Sequence, residues 1–222
     1  MPGGDRAGGG PGGGALLVLT LALLVGCATP GERSREVEAH LKLGLSALVV
    51  GDLPAAARHL RAARRLDPGD PRVPCALGEL YRREGRYEKA IAALKEALRL
   101  KPGYGEALVN LGTVYLNMGR LPEAERCFRR ALEDEQYPTP QAAWTNLGLV
   151  RELRGDLQGA EEALLRALRL DPKFSVAHLN LGRVYLRKGD RERARLHLQE
   201  AARLPAPDPG IRQEALRLLE GL

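Results

Sequence analysis

Four histidines and three cysteines are the residues of this chain best suited to nucleophilic, redox or metal chemistry. The histidines form two pairs, His40 with His59 and His178 with His197, each separated by the same 19 residues. That shared spacing can bring the members of a pair together. Without a third ligand or a carboxylate at suitable spacing, however, the sequence does not predict a metal site at either pair. Packed or half-exposed histidines are expected, with no metal and no cofactor. Cys75 and Cys127 belong to no zinc-type pair, and their placement on different helices argues against a disulfide. They read as small apolar residues. No nucleophile elbow and no phosphate-binding glycine loop occurs. The chemistry available points to binding and away from catalysis.

Cys27 has a different setting. Residues 1–14 are a Gly/Pro tract, and an apolar run from Ala15 to Val25 follows, too short to span a bilayer and suited to the apolar region of a secretory signal. The run ends in Leu24-Val25-Gly26-Cys27, before the polar, breaker-containing Ala28-Thr29-Pro30-Gly31-Glu32. This resembles a bacterial lipobox. It implies a signal peptide over 1–26 and a lipidated Cys27 followed by a linker to residue 36. Two or more acyl chains at Cys27 would hold the protein on a membrane. Ala28 in place of Asp implies the outer membrane. The n-region, with Arg6 offset by Asp5, is weak for such a signal.

The elements that position everything else come from self-similarity. Gly44, Gly78, Gly112, Gly148 and Gly182 recur at intervals of 34, 34, 36 and 34 residues. With each set at repeat position 8, a second glycine follows seven residues later (51, 85, 119, 155, 189). Alanines follow in turn, at 56, 90, 124, 160 and 194, then at 63, 97, 131, 167 and 201. Each repeat reads as two antiparallel helices, A and B. The first glycine and first alanine mark their closest approach. The second glycine ends helix A in a left-handed conformation. The second alanine lets helix B meet the next repeat. Pro68, Pro102 and Pro172 stop helix B. Low aromatic content (4%) with abundant Leu, Ala and Arg suits close-packed helices better than a sheet.

This spacing resembles the tetratricopeptide repeat (TPR). It implies an all-α fold, a right-handed superhelical solenoid of five helix pairs over 37–70, 71–104, 105–138, 141–174 and 175–208, with a capping helix over 209–222 covering the exposed end. Tyr81, Tyr115 and Tyr185 hold the usual aromatic position 11, where repeats one and four have Ala47 and Arg151. The concave face of such a solenoid is lined by helix A positions 2, 5, 9, 12 and 13. TPRs that clamp a C-terminal carboxylate use Lys and Asn at positions 5 and 9. Here position 5 reads Leu41, Cys75, Val109, Thr145, Leu179, and position 9 reads Leu45, Glu79, Thr113, Leu149, Arg183. No clamp is present. Leu41, Leu45, Leu48, Val49, Leu116, Leu149, Leu153, Leu179 and Leu186 instead predict an apolar groove for an amphipathic helix or extended peptide.

The net charge of +6 raises nucleic acid as a partner. Yet the charges are mixed in sign along helix faces, as in Arg82-Arg83-Glu84, and no basic block is interleaved with aromatics for base stacking. A solvated surface is expected, without nucleic acid binding.

The 36-residue interval marks an insertion, Glu133-Asp134-Glu135-Gln136-Tyr137-Pro138-Thr139-Pro140, before Trp144-Thr145-Asn146-Leu147-Gly148. Lipobox, serial TPRs and this insertion together resemble the type IV pilus biogenesis and stability lipoproteins, the PilF/PilW/Tgl pilotins. Members often carry cysteines at places matching Leu116 and Val150, and both are absent here. The resemblance implies a lipoprotein on the periplasmic face of the outer membrane that binds secretin subunits and promotes assembly of the pilus secretin. A general envelope adaptor, docking other periplasmic proteins or cell-wall enzymes, fits the apolar groove equally.

Overall fold

The computed structural model describes residues 30–206 and 208–222. Cys27, the signal-peptide segment and the first residues of the expected linker lie outside the described residues. Among the described residues there are eleven helices and no strand. They are α1 (Pro30–Val50), α2 (Leu53–Leu66), α3 (Arg72–Arg83), α4 (Tyr87–Leu100), α5 (Gly105–Asn117), α6 (Leu121–Ala131), α7 (Pro140–Leu153), α8 (Leu157–Leu170), α9 (Ser175–Lys188), α10 (Arg191–Arg203) and α11 (Pro209–Glu220). Odd-numbered helices up to α9 are the A helices and the even-numbered ones the B helices of five successive hairpins. Each hairpin packs on the next, and consecutive A helices also touch one another.

The glycines at position 8 set the hairpin geometry. A Cβ built on Gly44, Gly78, Gly112, Gly148 or Gly182 would lie 2.4–2.7 Å from Leu60, Leu94, Phe128, Leu164 or Leu198 respectively. Those five side chains are fully buried. The large residue of helix B therefore rests directly on the glycine of helix A, and no side chain can intervene. The second glycines all adopt the left-handed conformation, with φ between 71° and 84°, as the sequence requires. Both alanine sets are wholly buried.

Position 16, at the N-terminus of helix B, is solved in two ways. Asp52, Asp156 and Asp190 accept hydrogen bonds from the backbone N–H groups of Ala55, Gly159 and Arg193 at 2.9–3.0 Å, satisfying donors that the helix leaves open. Repeats two and three have Arg86 and Arg120 here, which lie over the rings of Tyr81 and Tyr115 at 5.3 and 4.7 Å.

Two departures from the repeat pattern are visible. The segment read as a linker up to residue 36 is helical from Pro30 onward, so α1 runs 21 residues. The insertion after α6 folds back onto the start of α5: the Asp134 carboxylate accepts from the Gly105 N–H at 2.9 Å, and Tyr137 is buried beside Gly105. Gly105 is needed there, since a Cβ would meet both residues at 2.9 Å. At the far end α11 covers the fifth repeat, with Ala215 buried against Leu179, Leu198 and Ala201.

Candidate binding groove

The inner face is built by α1, α3, α5, α7 and α9, whose direct contacts curve the stack. Of the nine residues expected to line an apolar groove, Leu45, Val49 and Leu153 are exposed, at 43%, 81% and 50%. Leu116, Leu149 and Leu186 are half-buried. The other three are corrections: Leu41, Leu48 and Leu179 are buried. Leu41 and Leu48 belong to the core shared with Val73, Leu77 and Leu80 of α3, and Leu179 is covered by α11. Curvature presses each A helix onto the next, and position 5 is lost to solvent in every repeat (Leu41, Cys75, Val109, Thr145, Leu179). A linear pattern carries no information on that curvature.

The exposed apolar residues form two patches rather than one stripe. Between them repeat two places a charged cluster: Glu79 accepts from Arg82 at 2.7 Å and from Arg83 at 2.6 Å. Burial pushes the Glu79 carboxyl up, but the bonds from Arg82 and Arg83 outweigh it and hold the group below its ordinary value. The patch in repeat one borders a crevice of about 130 Å³ whose walls include Leu41, Leu45, Arg72, Tyr104 and Glu106, drawn from three successive repeats. Glu38 and Arg72 pair across its rim at 2.8 Å. An apolar floor with a charged rim suits a peptide that buries one or two aliphatic side chains.

Three buried or nearly buried glutamates lock neighbouring repeats. Glu125 of α6 pairs with Arg129, Arg151 and Arg154. Glu161 of α8 accepts the Tyr185 hydroxyl at 2.8 Å and pairs with Lys188. Glu152 of α7 meets Arg183 and Arg187 of α9. Arg83 and Arg187, both at position 13, also donate to the Leu48 and Glu152 carbonyl oxygens of the preceding A helix at 2.5 Å. The sequence signal for that cap is Arg recurring at position 13.

Cys75 and Cys127 are buried free thiols. Burial pushes the Cys75 thiol far up and that of Cys127 up to about 11, so neither offers a thiolate at neutral pH. Both histidine pairs are in direct contact, with Nδ1 to Nδ1 distances of 3.1 Å for His40–His59 and 3.0 Å for His178–His197. Burial, then the neighbouring His178, pulls the His197 imidazole down to about 4. Among the described residues no helix is long and apolar enough to cross a membrane.

Stacked helical hairpins with a concave face and closely approaching glycines define a repeat scaffold for protein recognition. The chain belongs to the tetratricopeptide repeat family, whose models match residues 35–105, 81–144 and 153–219. Among solved structures, PilF of Pseudomonas aeruginosa superposes with a TM-score of 0.75 at 24% identity, over 85% of each chain. PilW, a widely conserved type IV pilus biogenesis factor, gives 0.70 at 22% identity, over 83% of this chain and 92% of that one. TTC0263, a thermophilic TPR protein of Thermus thermophilus, gives 0.72 at 22% identity, over 83% and 99%. At these identities the likeness is one of fold. No curated protein sequence matches the chain.

Proposed function

We propose that this protein is a non-enzymatic TPR scaffold, tethered to the outer membrane through a lipidated Cys27, that binds secretin subunits and promotes assembly of a type IV pilus secretin. The observation that carries the binding reading is the set of aliphatic side chains left open on the concave face. Leu45, Val49 and Leu153 stay in water although the solenoid buries every residue of its position-8 and alanine contacts. Such a patch costs solubility, and a docked apolar segment would recover that cost. The pilus reading draws on the fold likeness to PilF and PilW along most of both chains and on the lipobox-like end of the leader. The comparable likeness to TTC0263 favours the broader second reading, an envelope adaptor for other periplasmic proteins.

The test is deletion of the gene followed by blotting of outer membranes for heat-resistant secretin multimers, with complementation by the wild type, Cys27→Ser and Leu45→Glu. Loss of multimers that only the wild type restores is expected. Normal multimers in the deletion strain would exclude the secretin role. A membrane-bound Cys27→Ser protein would exclude the lipid tether.

A further inference from the structure

All four histidines of the chain fall in two pairs at the same repeat positions. His40 and His178 sit at repeat position 4 on helix A, and His59 and His197 at position 23 on helix B, so each pair spans a hairpin. The three middle repeats carry Pro74 with Ala93, Leu108 with Cys127, and Trp144 with Ala163 at the same places. Only the first and last repeats, the ends of the solenoid, have the pair.

The two sites share one geometry. Nδ1 faces Nδ1 at 3.1 and 3.0 Å, with ring planes tilted by 38° and 33°. Two imidazole nitrogens bound to one ion at about 2.0–2.1 Å stand about 2.9 Å apart at a right angle and about 3.3 Å apart at a tetrahedral angle. The observed separations lie between these values. In the C-terminal pair the partner of the other ring nitrogen is also fixed. His178 Nε2 is 3.1 Å from the Pro172 carbonyl oxygen, which only accepts, so Nε2 carries the proton and the Nδ1 lone pair points at His197. A backbone carbonyl holding the far N–H is the arrangement that orients metal-binding histidines. The Tyr185 ring stacks on His197 at 5.5 Å and limits its rotation.

We propose that each pair is a two-nitrogen site for a divalent transition ion of the imidazole-binding class, Cu²⁺ or Zn²⁺, which staples helix A to helix B in the terminal repeats. In the metal-free pair His197 Nδ1–H donates to His178 Nδ1. On binding, that proton moves to His197 Nε2, both Nδ1 lone pairs face the ion, and the net charge of the rings is unchanged. Among the described residues no three His, Cys, Asp or Glu side chains gather at one point, so water or a docked protein completes the coordination. The first repeat has no repeat before it and the fifth is closed only by the single helix α11, so the terminal hairpins open more readily than the middle ones. A cross-link there stabilises the whole stack by mass action.

Cu²⁺ titrated into the untagged, metal-free protein tests this, read by calorimetry and electron paramagnetic resonance. Two equivalents are expected, with nitrogen hyperfine structure from two imidazoles per ion and a rise in melting temperature. His59→Ala and His197→Ala should each remove one equivalent, and the double variant should bind at least about tenfold more weakly. Both changes install the residue that repeats two and four already carry, so helical circular dichroism should persist. No saturable binding below millimolar Cu²⁺, undiminished binding by the double variant, or a wild-type spectrum without imidazole nitrogen would overturn the proposal.

Discussion

Replacing Gly112 by Ala isolates the contact on which the hairpin geometry depends. The new Cβ would sit 2.6 Å from Phe128 Cε1 and 2.9 Å from both Cδ1 and Cζ, where carbon atoms normally rest about 3.5–4.0 Å apart. Phe128 is fully buried and its ring is rigid, so α5 and α6 must separate by about 1 Å or the ring must leave its rotamer. Overpacking of this kind costs about 1–3 kcal/mol, and three ring atoms in conflict place the site at the upper end. Helix propensity returns about 1 kcal/mol of that. The net loss is about 2 kcal/mol, a fall in melting temperature of about 4–8 °C for a chain of this length. Thermal unfolding followed by far-ultraviolet circular dichroism reads it directly. Gly31→Ala is the control, since nothing lies within 4 Å of its Cβ position, and it should not lower the transition. A Gly112→Ala protein that melts at or above the wild type would refute the close-approach argument for all five repeats.

Glu161 is held below the ordinary carboxylate range: burial raises it, and the hydrogen bonds from Lys188 and Tyr185 outweigh burial. Its contribution is therefore present above the unfolded-state value of about 4.3 and is lost as pH falls through the folded value. Glu161→Gln should cost about 1–3 kcal/mol at pH 7, and the gap from wild type should narrow as pH falls below the unfolded-state value; a gap independent of pH would refute this. In a Cys27→Ser protein the Cys75 and Cys127 thiols, pushed up by burial, should resist a thiol reagent at pH 8 until the solenoid is unfolded, and fast labelling of that native protein would contradict their placement.

The repeat framework was legible because close contact leaves so few choices. Only glycine accommodates the side chains of Leu60, Leu94, Phe128, Leu164 and Leu198, and glycine most readily ends helix A at a φ near +75°. Those demands recur at fixed spacing and appear in the sequence as identities. The nearness of the histidine pairs was readable for the same reason, since positions 4 and 23 face each other in any such hairpin. What depends on packing between repeats was not. Leu41, Leu48 and Leu179 occupy groove positions by register but are buried by curvature and by α11. Apart from the Glu125–Arg129 pair within α6, which i,i+4 spacing predicts, the glutamates at 125, 152 and 161 find their arginines and lysine in the following repeat, at sequence distances where no local rule applies. The start of α1 at Pro30 is not legible in the sequence, because no earlier repeat supplies a spacing there.

The central claim is that the concave face binds a protein segment, and titration of a purified secretin subunit against this protein tests it most directly. Covering the exposed part of Leu45 is worth about 1–2 kcal/mol, so Leu45→Glu should weaken binding by about tenfold or more. Leu196→Glu, on the exposed surface of α10, should leave the affinity unchanged. Equal affinity in wild type and Leu45→Glu, or equal loss in both variants, would contradict the account.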